Sequence, residues 1–280
     1  MNVTLLDGRE VREKLLDDLK NKLDKLDKRL GLTVIQIGSS DSSNIYIKQK
    51  EKLAIELGYN FNYIKLDDDI WEDDVLSLID ELNDDSCVDG ILIQLPIPDN
   101  LNSRKILDRI SSKKDVDGLT CVNAGRLICN KECLIPGTAL GIMDIFSYYN
   151  IDVSGKYVVI VGRSDLVGKP MFSMLINKSA TVTLCHSKTK NLESITSRAD
   201  ILIVAVGAFK LITRDMVKRG CVIIDAGINV VDGKLCGDVD YDNVVDIVSY
   251  ITPVPYGVGQ VTTVELLYNV YRAYELNKRN

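Results

Sequence analysis

Apolar residues at Val11, Leu15, Leu16, Leu19, Leu23, Leu26 and Leu30 recur at the spacing of one helical face, with Lys and Asp on the other. That stripe predicts a surface helix over 9–30. The β-branched run 33–37 ends at Gly38 and a Ser/Asp cluster, the pattern of a strand feeding a loop. A helix is predicted over 43–57, stopped by Gly58. After it come a strand near 59–66, an acidic helix near 71–82 and a buried-type strand over 88–95, halted by Pro96 and Pro98.

The second half repeats the alternation with stronger contrast. A strand over 157–161 runs into a glycine turn, a helix is predicted over 170–177, and strands follow at 181–185, 201–206 and 221–225. Strand alternating with helix predicts a parallel sheet covered by helices on both faces. Two such series give an α/β fold class with two α/β domains and a cleft between them, the C-terminal one Rossmann-like. The boundary is expected near 136–141, dividing the chain into 1–138 and 139–260. A last apolar helix, about 261–280, is expected to pack back on the first domain.

Composition narrows the partners. Of 280 residues, 46% are hydrophobic and 26% charged, which excludes a disordered or low-complexity chain. Lys and Arg number 34 against 40 Asp and Glu, a formal charge of -6, so a chain-wide basic footprint for nucleic acid is missing and only a local basic pocket remains open. No apolar run reaches the roughly 18 to 20 residues of a membrane span, and the first residues lack the regions of a signal peptide.

Seven cysteines is an odd number, and Cys121, Cys129 and Cys133 have neither CxxC spacing nor a nearby histidine. Reduced thiols in the cytoplasm are expected, with no metal site. The single histidine, His186, excludes a multi-histidine metal centre, and at a strand end it reads as structural or as a cofactor edge. The acidic cluster Asp67, Asp68, Asp69, Glu72, Asp73 and Asp74 sits where a helix begins and reads as a solvated start that complements the helix dipole.

Two segments carry candidate chemistry. From Val158 to Pro170 a buried strand runs into Gly162, then Gly168, with Pro170 placed for a first helical turn. Such a turn offers backbone N–H groups to a phosphate, although the GxGxxG spacing is absent and an ordinary tight turn has the same outline. The next strand ends Cys185-His186-Ser187-Lys188, with no carboxylate for a ribose 2′-hydroxyl. Arg163 and Ser187 suit a 2′-phosphate instead, which favours NADP over NAD.

In the first half, Tyr46 and Lys50 lie four apart on a predicted helix and share a face. Alone, with Lys48 and Lys52, they read as a solvated basic face. Gln94, inside the apolar run 91–98, is a buried amide in need of partners near a strand end. Asp115 and Asp117 form an acidic turn beyond it.

Five phrases together resemble one family: Ser43-Asn-Ile-Tyr-Ile-Lys-Gln-Lys50; Asp89-Gly-Ile-Leu-Ile-Gln-Leu-Pro96; Lys114-Asp-Val-Asp-Gly-Leu-Thr120 with Asn123-Ala-Gly-Arg126; Gly162-Arg-Ser-Asp-Leu-Val-Gly-Lys-Pro170; and Thr252-Pro-Val-Pro-Tyr-Gly-Val-Gly259. In order across nearly the whole chain, they are similar to the FolD family of bifunctional methylenetetrahydrofolate dehydrogenase/methenyltetrahydrofolate cyclohydrolases.

The resemblance implies Lys50 as catalytic lysine, Tyr46 as the ring that stacks on substrate, Gln94 as support for the lysine and Asp117 as the acid that binds the pterin. It adds Ile93, Leu95, Pro255, Tyr256, Gly257, Val258 and Gly259 to the substrate contacts, and Gly162, Arg163, Ser164, Ser187 and Ile228 to the NADP site. The implied reactions are oxidation of 5,10-methylenetetrahydrofolate with NADP and hydrolysis of the methenyl product to 10-formyltetrahydrofolate, in one-carbon metabolism. The alternatives are a dehydrogenase without cyclohydrolase activity and a non-catalytic folate or nucleotide binder. A homodimer through the nucleotide domains is implied as well.

For Lys50, a general acid/base and an electrostatic stabiliser are both consistent with the residues. The chain departs from the family at Gly137 and Ala139, and at Tyr256 and Gln260 in the loop that usually reads Pro-Gly-Gly-Val-Gly-Pro-Met-Thr.

Overall fold

The computed structural model describes residues 3–38 and 41–279. The first half contains β1 (Thr4–Leu5), α1 (Gly8–Leu23), β2 (Gly31–Ile37), α2 (Asp41–Glu56), β3 (Asn60–Leu66), α3 (Glu72–Asp84), β4 (Gly90–Gln94), α4 (Ser103–Arg109) and α5 (Cys121–Ile128). The second half contains α6 (Gly137–Tyr148), β5 (Tyr157–Val161), α7 (Gly168–Asn177), β6 (Thr181–Cys185), α8 (Leu192–Thr196), β7 (Ile201–Val204), β8 (Val222–Asp225), β9 (Asn229–Val231), β10 (Lys234–Cys236), α9 (Tyr241–Val244), β11 (Tyr250–Ile251) and α10 (Gly259–Lys278).

Two compact units result, one made of Leu16–Gly137 with Thr263–Asn280, the other of Met1–Leu15 with Thr138–Thr262. The first residues therefore differ from the division 1–138 and 139–260: Thr4 and Leu5 pair with Tyr250 and Ile251 at a sheet edge in the second unit. A strand of two residues is too short to show a period in the sequence.

The first unit is built on a parallel sheet of order β3-β2-β4. Every residue of the central β2 is buried, which is why it reads as an almost unbroken apolar run. Beyond β4 the chain runs alongside it, with the Ile91 amide bonded to the Lys114 carbonyl at 2.7 Å. The end of α10 packs on this unit: fully buried Asn269 donates to the carbonyls of Val116 at 2.8 Å and Ile135 at 2.7 Å, and the Tyr59 hydroxyl donates to Leu267 O at 2.8 Å.

The second unit carries a six-stranded parallel sheet of order β1-β11-β8-β7-β5-β6. The order reverses at β5, whose neighbours are β6 on one side and β7 on the other. Val159, Val161, Leu202, Val204 and Ile223 form its buried centre. A separate antiparallel hairpin joins β9 to β10. Its turn, Asp232-Gly233, has positive φ at both residues (50° and 73°), the requirement of a tight hairpin.

Two helices differ from the predicted extents. α1 ends at Leu23 and not at Leu30, because Leu30 is drawn into the approach to β2, 1% exposed, where its carbonyl accepts the Asn60 amide. α7 begins at Gly168, since Pro170 is tolerated within a first turn whose N–H groups have no helical partner. Among the described residues no helix is long and apolar enough to cross a membrane, and all seven cysteines are free thiols.

Candidate active site

In the first unit α2 carries Tyr46 and Lys50 one turn apart, Tyr46 exposed and Lys50 half-buried. The Lys50 Nζ donates to Gln94 Oε1 at 2.8 Å, and the same amide donates from Nε2 to the Leu95 carbonyl at 3.0 Å. Gln94 ends β4, so the strand end presents a fixed acceptor to the helix. Burial pushes the lysine below its ordinary pKa range, while the charge of Asp117 acts to hold it up. The two groups are coupled in both directions: burial pushes the Asp117 carboxyl up to about 6, Lys50 draws it down and Asp115 adds to the rise. A lysine whose pKa burial lowers therefore lies within the field of a carboxyl whose pKa burial raises.

Lys50, Gln94 and Asp117 are thus brought together. The side chain of Ile93 is not part of that group. It is 2% exposed and in register with Ile35, so a binding role for Ile93 is confined to its main chain.

Two residues support this group in ways the sequence alone does not show. Gln36, 2% exposed and in register with Gln94, donates to Asn44 Oδ1 at 3.2 Å and accepts from the Tyr63 hydroxyl at 2.6 Å, tying β2 and β3 to the helix that carries Lys50. The signal was present, since Gln36 is a polar residue within an apolar run just as Gln94 is. Asp115, also buried, accepts from the amides of Leu119 at 3.1 Å and Thr120 at 2.8 Å and from Asn123 Nδ2 at 2.9 Å, and so fixes the turn that bears Asp117.

In the second unit the Gly162 turn closes tightly. Gly162 has φ +123°, and a Cβ there would lie 2.3 Å from the Ala205 carbonyl oxygen; one on Gly168 would lie 2.0 Å from Gly162 O. No side chain fits at either position, because neighbouring main chain fills the space, and the turn leads directly into the ten-residue α7. The Gly162 amide donates to Cys185 O at 2.9 Å, drawing the turn to the end of β6 and placing exposed Arg163 beside the strand that leads to exposed Ser187. Ser164 Oγ accepts the Val167 amide at 3.1 Å, which shapes the turn from within. His186 Nδ1 accepts the Lys188 amide at 3.1 Å, so the ring shapes the strand end.

Ile228 follows β8 and is 52% exposed. In the loop Pro255 to Gly259, Gly257 and Val258 are buried and Tyr256 is half-exposed with φ +87°. That conformation favours glycine, and the Tyr256 ring is held there by the Arg9 guanidinium 4.7 Å from its centroid. Arg9 is itself fixed by hydrogen bonds to both oxygens of Asp7.

Residues 6–117 match the family described as tetrahydrofolate dehydrogenase/cyclohydrolase, catalytic domain. Residues 136–278 match the NAD(P)-binding domain of the same family. The chain is 46% identical over 273 residues to the bifunctional protein FolD of Bacillus cytotoxicus, covering 96% of each chain. Among solved structures it resembles the bifunctional FolD methylenetetrahydrofolate dehydrogenase/cyclohydrolase of Campylobacter jejuni, with TM-score 0.96 and 42% identity over 99% of this chain and 100% of that one. It also resembles the Trypanosoma brucei enzyme complexed with NADP cofactor and inhibitor, with TM-score 0.94 and 30% identity, each chain covered fully. With both halves matched and the strand-end glutamine meeting the helix lysine, this chain belongs to the tetrahydrofolate dehydrogenase/cyclohydrolase family.

Proposed function

We propose that the chain oxidises 5,10-methylenetetrahydrofolate with NADP and hydrolyses the methenyl product to 10-formyltetrahydrofolate, as a bifunctional enzyme of one-carbon metabolism. The observation that carries this reading is the 2.8 Å bond from Lys50 to Gln94 in the field of Asp117, in a chain of this family.

The Gly162 turn fits a dinucleotide: side chains are excluded from it, it opens onto a helix N-terminus, and it lies where the sheet order reverses. Gly162, Ser164 and Ile228 would hold the cofactor, and Arg163 with Ser187 would take its 2′-phosphate by charge and hydrogen bonding. NADP, when bound, supplies the hydride acceptor. The protein's part in that step is orientation, with Tyr46 stacked on the folate and Asp117 accepting hydrogen bonds from the pterin. Leu95, Pro255, Tyr256, Gly257, Val258, Gly259 and the main chain of Ile93 complete the substrate contacts in this reading.

Hydrolysis asks more of the residues. Acting as the base, Lys50 takes the proton that water loses as its oxygen bonds the methenyl carbon. The ammonium so formed is held by Gln94 Oε1, and the Asp117 charge stabilises it. The bond from the methenyl carbon to N5 then breaks as N5 takes the proton from Lys50, and the hydroxyl proton leaves to solvent as the formyl carbonyl forms.

A homodimer and a cytoplasmic location are part of the same proposal. The first follows from the family resemblance and is checked by light scattering for twice the 31.1 kDa of the chain. The second is supported by the seven free thiols.

The test is a steady-state assay with 5,10-methylenetetrahydrofolate, run with NADP and NAD in parallel, followed by the decay of the methenyl absorbance. Reduction of NADP and decay above the uncatalysed rate are expected. Reduction of neither cofactor overturns the proposal.

A further inference from the structure

Asp238, following the β9–β10 hairpin, is completely buried, yet no Lys or Arg among the described residues forms an ion pair with its carboxylate. Its partners are N–H groups. Oδ2 accepts from the amides of Val206 at 2.8 Å and Gly207 at 3.0 Å; Oδ1 accepts from the amide of Ala208 at 2.7 Å and from Asn229 Nδ2 at 2.9 Å. Three consecutive amides of one loop thus converge on a single carboxylate, and a fourth donor comes from the first residue of β9.

Asp238 is in turn held by Asp225, the last residue of β8. Asp225 Oδ1 accepts the amides of Gly227 and Asp238, each at 3.0 Å, and Oδ2 accepts that of Val239 at 2.9 Å. The packing leaves no slack: a Cβ on Gly227 would lie 2.1 Å from the Asp238 carboxyl carbon. A buried carboxylate whose acceptor sites are filled by amides specifies the path of the main chain that supplies them.

The path so specified matters because of its place. The loop 205–208 leaves the C-terminal end of β7, next to β5, at the reversal of strand order where open α/β sheets bind their ligands. It touches the cofactor turn, since Ala205 O and the Val206 side chain are the atoms a Cβ on Gly162 would strike. Val206 and Ile228, at the ends of β7 and β8, remain 41% and 52% exposed, two apolar lips on loops that Asp238 ties together through Val206 N and Asn229.

We propose that Asp238 is a positioning residue for the nicotinamide cofactor, setting the loops after β7 and β8 so that Val206 and Ile228 form one wall of the cofactor crevice. This rests on the dinucleotide reading of the Gly162 turn.

The test is Asp238→Asn in the full-length enzyme, which turns one acceptor into a donor facing N–H groups. The expected result is a KM for NADP raised by about tenfold or more, with the KM for methylenetetrahydrofolate changed by less than about threefold. Hydrogen exchange of the 206–208 amides should quicken in the same variant. If Asp238→Asn does not fold, Asn229→Ala, which removes one donor, decides the matter through a KM rise for NADP of about threefold at unchanged folate KM. Equal losses for both substrates, or an unchanged NADP KM, overturn the proposal. A wild-type enzyme that fails to bind NADP in equilibrium dialysis would instead overturn the dinucleotide reading beneath it.

Discussion

Lys50 Nζ and Gln94 Oε1 lie 2.8 Å apart, so a helix amine rests on a strand-end amide that is itself anchored to the Leu95 carbonyl. Lys50→Met keeps the aliphatic stem and removes the exchangeable proton. Cyclohydrolase kcat should fall by at least about 10²-fold, the scale of a lost acid/base group, with the circular dichroism spectrum unchanged. Gln94→Ala should lower the same kcat by a smaller factor. Normal hydrolysis in Lys50→Met would remove Lys50 from the mechanism.

The Asp117 carboxyl, pushed up to about 6 chiefly by burial, is protonated below that pH and charged above it. If the charged form binds the pterin, the KM for folate falls as pH rises through about 6 and levels off beyond it. Asp117→Asn should give a higher and flat profile. Stability runs in the opposite sense. The folded state holds the proton more tightly than the unfolded chain, so this contribution is full below the ordinary carboxylate pKa and is lost as pH rises through about 6. Denaturant titrations at several pH values check it, because the loss should vanish in Asp117→Asn.

Arg163 stands exposed directly after Gly162, next to the strand end that leads to Ser187. Replacing it by Ala removes a charge suited to a 2′-phosphate and nothing that NAD needs. The ratio of kcat/KM for NADP over NAD should fall by about tenfold or more, the worth of a charge-assisted hydrogen bond. An unaltered ratio would contradict the role given to Arg163.

Tyr256 combines a left-handed backbone with a ring under Arg9. Tyr256→Gly relieves about 1–2 kcal/mol of backbone strain and forfeits about 0.5–1 kcal/mol of cation–π attraction. Tyr256→Ala forfeits the attraction and keeps the strain. The glycine variant should therefore be more stable than the alanine variant by about 1 kcal/mol or more, as read from urea midpoints at equal slope.

The central strands of both units were legible because a parallel strand covered on two faces is written as a β-branched run, as in β2 and β5. β1 and β11 were not, with two residues each and their only signal in the pairing itself. The β9–β10 hairpin could have been found from Asp232-Gly233 between short apolar pairs. Gln94 was found as an amide out of place in an apolar run, and the same logic applied to Gln36 would have found the anchor of α2. The supporting roles of Asp115 and Asp238 resist such reading: most of their partners are backbone N–H groups, which every residue has, and for Asp238 these lie 30 to 32 positions away.

The interleaving of the two units along the chain constrains how the protein is made. The block Leu16–Gly137 is complete only with Thr263–Asn280, and the block Thr138–Thr262 takes its edge strand from Thr4–Leu5. On the ribosome the unit that bears Lys50 waits for residues that follow the whole of the block Thr138–Thr262, holding its sheet without α10 while that block is translated. The other unit, cut out as 139–260, would expose β11 as an unprotected edge open to pairing with another chain. Neither half is a module that a gene fragment could encode.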